Sequence, residues 1–264
     1  MRRPVAVLVA GALLAVGGTL TAGAQGRLDR AALAAAKPAP LRLRERCVTA
    51  AERKGVVRFT ASDRTRLLGV TIGKGSSGVV LAHGGDSNLC SWMPYARTLA
   101  GAGYRILVVD LRRHGSSGSP RSVANLHRFD LDVVAAAKEL RRRGARTLVF
   151  AGGSLGGTAV LAAAAAITPP VQGVISLSSP EVWVRIHAIQ AVRRMSVPVL
   201  FAAAESDVQY ADEARALHAA SASPDKRLLI LPGGAHGVDL LRGPAAAGFR
   251  ATFAAFIREQ STRR

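Results

Sequence analysis

Residues 147–166 read TLVFAGGSLGGTAVLAAAAA: a short apolar run, a knot of glycines holding one serine, and a long alanine-rich stretch. The apolar run, bounded by glycine, predicts a strand, and the stretch after it predicts a helix beginning near Leu155. Between them, Gly152-Gly153-Ser154-Leu155-Gly156 has the spacing GxSxG. A serine in so sharp a strand-to-helix turn is held at strained backbone angles with its hydroxyl above the sheet, and small neighbours are needed where the chain passes close to itself. The start of the helix would aim free N–H groups and a positive dipole end at the point where an oxyanion develops.

The same alternation runs outward. Short runs rich in Val, Ile and Leu at 56–60, 66–72, 78–83, 105–110, 147–152, 173–178, 197–204 and 227–233 predict eight strands. Helical spacing falls at 92–101, 123–143, 155–166, 210–221 and 244–260. From residue 78 the order strand, helix, strand demands crossover connections, hence an α/β chain with a mainly parallel eight-stranded sheet and helices on both faces. The first two strands, closely joined, predict an antiparallel edge.

With 264 residues and 49% hydrophobic side chains, the chain can bury a full core. The formal net charge of +19 comes from arginine scattered along the chain. Without a basic stripe or interleaved aromatics this is no nucleic-acid footprint, though it allows weak attraction to anionic cell-surface polymers. MRRPVAVLVAGALLAVGGTLTAGAQG has an arginine pair, an apolar stretch and the triplet Ala22-Gly23-Ala24, which predict a signal peptide over 1–24, cut after Ala24; an uncleaved membrane anchor is the alternative. Residues 25–46, interrupted by Pro38 and Pro40, predict a mobile arm, and 47–264 one domain. An exported chain with an even pair of cysteines is expected to bridge them, Cys47 to Cys90. Gly73-Lys74-Gly75-Ser76-Ser77-Gly78 matches GxGxxG but runs into a strand, leaving no helix N-terminus for a pyrophosphate. No zinc or P-loop motif is present, so neither metal nor cofactor is expected.

With GxSxG in this setting, residues 56–260 resemble an α/β-hydrolase. LAHGGDSN (81–88) resembles the family's His-Gly loop, and RILVVDLRRHGSSG (105–118) its D-x-R-G-x-G-x-S segment, with Arg113 where glycine is usual. The resemblance implies a serine, acid, histidine order. Ser154 is the nucleophile. Asp207 takes the acid position in Ala204-Glu205-Ser206-Asp207, with Glu205, Asp212 and Glu181 as the other carboxylates considered, and His236 in LLILPGGAHGVDLL is the base. His83 reads as structural. The N–H of Leu155 and one from the Gly84-to-Asp86 loop, Gly85 first, would form the oxyanion hole. The 179–197 gap is too short for a helical cap, so Trp183 and Ile186 are expected as lining and Arg185, Arg193 and Arg194 at the rim. The expected activity is that of a secreted serine hydrolase, a carboxylesterase acting on a small-molecule acyl substrate, with peptide, lactone and thioester bonds as alternatives. A non-catalytic binding protein of the same fold is the contrary class.

Overall fold

In the computed structural model, which describes residues 39–243 and 246–262, all eight expected strands pair into one sheet. They are Val56–Thr60 (β1), Arg66–Ile72 (β2), Ser77–Ala82 (β3), Arg105–Asp110 (β4), Thr147–Gly153 (β5), Gly173–Leu177 (β6), Val199–Ala204 (β9) and Lys226–Leu231 (β10). Two short strands, Val182–Trp183 (β7) and Ile186–His187 (β8), form a separate hairpin. The sheet order is β1-β2-β4-β3-β5-β6-β9-β10, with β2 antiparallel to both its neighbours, β1 and β4, and the remaining pairs parallel. The helices are Met93–Gly101 (α1), Phe129–Arg142 (α2), Leu155–Ala166 (α3), Ala188–Val192 (α4), Val208–Ala220 (α5) and Ala247–Thr262 (α6).

Successive side chains of a strand point to opposite faces, and this divides the core in two. Val80, Leu107, Val109, Leu148 and Phe150 meet α2 to α5 on one face. Val79, Leu81, Ile106, Val108 and Val149 meet Met93 and Leu99 of α1 and Phe253, Phe256 and Ile257 of α6 on the other. Strands buried on both faces need continuous apolar runs, which is why their bounds were readable. The gap after β6 holds only the hairpin and the five-residue α4, so no cap domain covers the sheet there.

The expected leader and residues 25–38 of the expected arm lie outside the described residues. Among the described residues no helix is long and apolar enough to cross a membrane. The compact unit begins at Leu41, which shortens the expected arm by six residues. Leu41 and Leu43 pack on the α1/α6 side of the core, and Glu45 is buried against Ser116, whose hydroxyl donates to Glu45 Oε2 at 2.6 Å. Arginines hold this strap by its carbonyls: Arg58 Nε donates to Leu41 O at 2.6 Å and Arg53 Nη2 to Glu45 O at 3.0 Å. Such contacts leave no trace in apolar periodicity. The expected bridge closes the strap, Cys47 to Cys90, with a Cα–Cα distance of 5.7 Å.

Candidate active site

Ser154 lies between β5 and α3 with φ +53° and ψ −124°, a backbone conformation L-residues rarely take. The first and last glycines of the pentapeptide are there for room. A Cβ on Gly152 would strike the backbone of Gly156, and one on Gly156 would strike the carbonyl oxygens of Ala82 and His83. Leu155, as the first residue of α3, has an N–H with no acceptor inside the helix.

The loop after β3 passes beside the serine: a Cβ built on Gly84 would lie 3.4 Å from Ser154 Cβ. His83 fixes that loop from below. It is fully buried, and its Nε2 accepts from Leu111 N at 3.0 Å, so Nδ1 carries the proton and donates to Gly84 O at 2.7 Å. In a planar trans peptide the N–H points opposite to the C=O, so the Gly85 N–H is turned away from His83. Burial lowers the imidazole to about 3, which keeps the ring neutral and its single proton on this bond. His83 is thus the structural residue the sequence indicated.

Asp207 and His236 come together as expected. His236 Nδ1 donates to Asp207 Oδ2 at 2.7 Å. Glu205 is exposed, and Asp212 is tied to Arg215 at 2.8 Å on the surface of α5. The other ring nitrogen of His236, Nε2, takes no part in that bond. The tilted ring of Tyr210, one turn along α5 from Asp207, packs on the imidazole with centroids 4.3 Å apart. Nothing in the sequence marked Tyr210.

Ser154, His236, Gly84 and Gly85 line one open cavity of about 330 Å³, together with Asp86, Asp239 and Arg242. Leu155 adjoins the serine and is itself buried. Trp183 reaches this neighbourhood, its ring 3.6 Å from where a Gly85 Cβ would stand. Ile186 does not: it is buried in the core, and Arg185 and Arg194 line a different cavity. The expected lining was wrong there because β8 turns Ile186 back towards α3. The Asp239–Arg242 ion pair, Nε to Oδ1 2.8 Å, stands at the mouth instead, on a turn that sequence patterning did not single out.

The segment between β4 and α2 proves structural. Asp110 accepts from Leu89 N and Ser116 N, each at 2.8 Å, and so ties the end of the His83 loop to β4. Arg112, fully buried, donates to Asp132 Oδ1 at 2.7 Å and to Asp63 Oδ2 at 2.6 Å. Arg113, at the position where the resemblance implied glycine, has φ +67°.

Known proteins agree with this architecture. The family described as serine aminopeptidase, S33, matches residues 74–197, a span that holds Gly85 and Ser154 and stops before Asp207. Epoxide hydrolase A of Mycobacterium tuberculosis is 32% identical over 126 residues, 47% of this chain and 38% of that protein. Bifunctional epoxide hydrolase 2 of Sus scrofa is 32% identical over 117 residues, 44% of this chain and 20% of that protein. The match therefore spans well under half the length of these curated relatives. Among solved structures, the esterase RhEst1 of Rhodococcus sp. ECU1013 superposes with a TM-score of 0.64 at 16% identity, covering 78% of this chain and 99% of that one. The chain has the α/β-hydrolase fold.

Proposed function

We propose that this protein is a serine hydrolase that cleaves carboxylic esters through an acyl-enzyme, with Ser154 as nucleophile, His236 as base and Asp207 as acid. The observation that carries the reading is the 2.7 Å bond from His236 to Asp207 on the wall of the cavity that Ser154 enters from the start of α3. Ser154 Oγ attacks the acyl carbon while His236 Nε2 takes its proton. The carboxylate of Asp207 balances the imidazolium, and His236 then protonates the departing alcohol. The N–H groups of Leu155 and Gly85 hold the oxyanion, a contribution of about 3 kcal/mol per donor. Water, deprotonated by the same imidazole, releases the acid. A cavity of about 330 Å³ suits a small or medium acyl group.

The nucleophile's chemistry separates this reading from epoxide opening. A serine oxygen that opened an epoxide would leave an alkyl ether, which water does not cleave under these conditions, so the enzyme would stop after one event. An acyl ester turns over. A second reading, removal of an N-terminal amino acid, is favoured by exposed Asp86 at the cavity, which could hold an ammonium group. The Cys47–Cys90 bridge supports export to an oxidising compartment. The test is to compare para-nitrophenyl acetate and butyrate with aminoacyl para-nitroanilides. Faster cleavage of the simple esters, lost in Ser154→Ala, is expected; a preference for the aminoacyl anilides that disappears in Asp86→Asn would replace the ester reading with the peptidase one.

A further inference from the structure

A second cavity of about 470 Å³ opens on the layer of helices α2 to α4 and shares no lining residue with the catalytic one. Asn125 and Arg128 approach it from the lead-in to α2, Ala162 and Ala166 from α3, Arg185 from the β7–β8 hairpin and Arg194 from beyond α4. Its charge is one-sided. Asp130 is the one acid among the described lining residues, and it is held by Arg128 in a two-pronged pair at 2.9 and 2.8 Å. Arg185 and Arg194 are exposed and, among the described residues, their side chains have no ion-pair or hydrogen-bond partner. Some other arginines of this chain instead donate to backbone carbonyls, as Arg58, Arg97 and Arg141 do.

The hairpin that carries Arg185 is held in a costly turn. Its two-residue connection places Val184 at φ +53°, a position that favours glycine in such hairpins. Val184 is β-branched and 59% exposed, so burial returns little for that strain. Strain retained at an exposed turn points to a use for the geometry it sets, here the aim of Arg185.

We infer that this cavity binds an anionic polymer, a chain of repeating phosphates or carboxylates, with Arg185 and Arg194 as the principal donors and His187 beside them. Guanidinium forks match oxyanions in pairs, and the net charge of +19 draws a ligand of many charges more strongly than a single ion. The described lining has no Phe, Tyr or Trp on which nucleic-acid bases could stack. Its apolar part is alanine methyls and the buried Ile186, which offers no slot for an acyl chain. The site does not depend on Ser154, so it stands or falls separately from the catalytic reading.

Calorimetric titration of the full chain with polyphosphate, polygalacturonate and neutral dextran tests it. Binding of at least one of the two polyanions, weakened by salt and absent with dextran, is expected, and the tighter polyanion identifies the oxyanion. Combined Arg185→Ser and Arg194→Ser should weaken it about tenfold or more, while the charge-matched pair Arg46→Ser and Lys74→Ser should cost less than about twofold. Ser154→Ala should bind as the parent does. Equal losses in the two double variants would show diffuse attraction and overturn the site. Absence of polyanion binding, or tighter binding of a single-stranded oligonucleotide than of either polymer, would overturn it as well.

Discussion

At Ser154 a single residue carries three demands: a backbone angle that favours glycine, a hydroxyl directed into a cavity, and a helix start beside it. Its partners divide cleanly. Asp207→Asn keeps the size of the acid but removes the charge that balances His236 and allows the wrong tautomer, so kcat should fall by about 10⁴-fold. Glu205→Gln, on an exposed side chain two residues away, should change kcat by less than about twofold. Steady-state kinetics of the two variants checks both, and a reversed order of severity would move the acid to Glu205. Arg113 offers a test of strain without chemistry. At φ +67° an L-residue loses about 1–2 kcal/mol, and glycine returns most of this while adding freedom to the unfolded chain. Arg113→Gly should therefore raise stability by up to about 1 kcal/mol in urea denaturation.

At the scale of elements, the β4–α2 connection works as a bracket for the site. Asp110 is fully buried, and burial, with the nearby Glu45 carboxyl adding to it, pushes its pKa up to about 7 against the pull of the Ser116 and Leu89 N–H groups. A carboxyl whose folded pKa is raised binds a proton that the unfolded chain has already released. Its contribution is therefore fully present below the unfolded value of about 4 and is lost as pH rises towards about 7. Asp110→Asn cannot titrate, so its stability relative to the parent should improve between pH 5 and pH 7, by on the order of 2 kcal/mol. Denaturation at the two pH values measures this; an unchanged difference would mean Asp110 is ionised throughout. His83 acts in the opposite sense, since its lowered pKa makes the folded state lose stability as pH falls below about 6.5.

This bracket also marks the limit of what the sequence disclosed. The strands, Ser154, Asp207 and His236 were legible because continuous apolar runs, the glycine pattern and loop placement are local signals. Arg112 was not, because a buried arginine that neutralises Asp132 and Asp63 is written like a surface one. Tyr210 and the Asp239–Arg242 pair were missed for a related reason: they reach the site through tertiary contact, without a motif. The β7–β8 hairpin, two residues per strand, is too short for its alternation to be distinguished from a loop.

Across the whole molecule, the arginine excess has a structural use that needs no acidic partner. Arg44, Arg53, Arg58, Arg97, Arg105, Arg141 and Arg250 each donate to backbone carbonyls of strap, loop or helix-end segments. Positive charge can accumulate in this way without requiring an ion pair at every step. The disulfide joins the strap to the segment that follows the Gly85 loop, with a sequence separation of 43. Closing such a loop contributes about 4 kcal/mol in the chain-entropy model, so reduction should lower the Tm by about 10 °C. Thiol titration of the unreduced, denatured protein should find no free thiol. Two free thiols would remove the bridge, and an unchanged Tm after reduction would remove its role in stability.

The central claim, that Ser154 is an activated nucleophile, is tested most directly by intact mass after exposure to a fluorophosphonate. Oγ attacks phosphorus, fluoride leaves, and the protein gains one phosphonyl group. The account predicts one adduct per chain, mapped by peptide sequencing to Ser154, absent in Ser154→Ala and strongly slowed in His236→Gln. No adduct on the folded parent protein, or an equal adduct on Ser154→Ala, would contradict it.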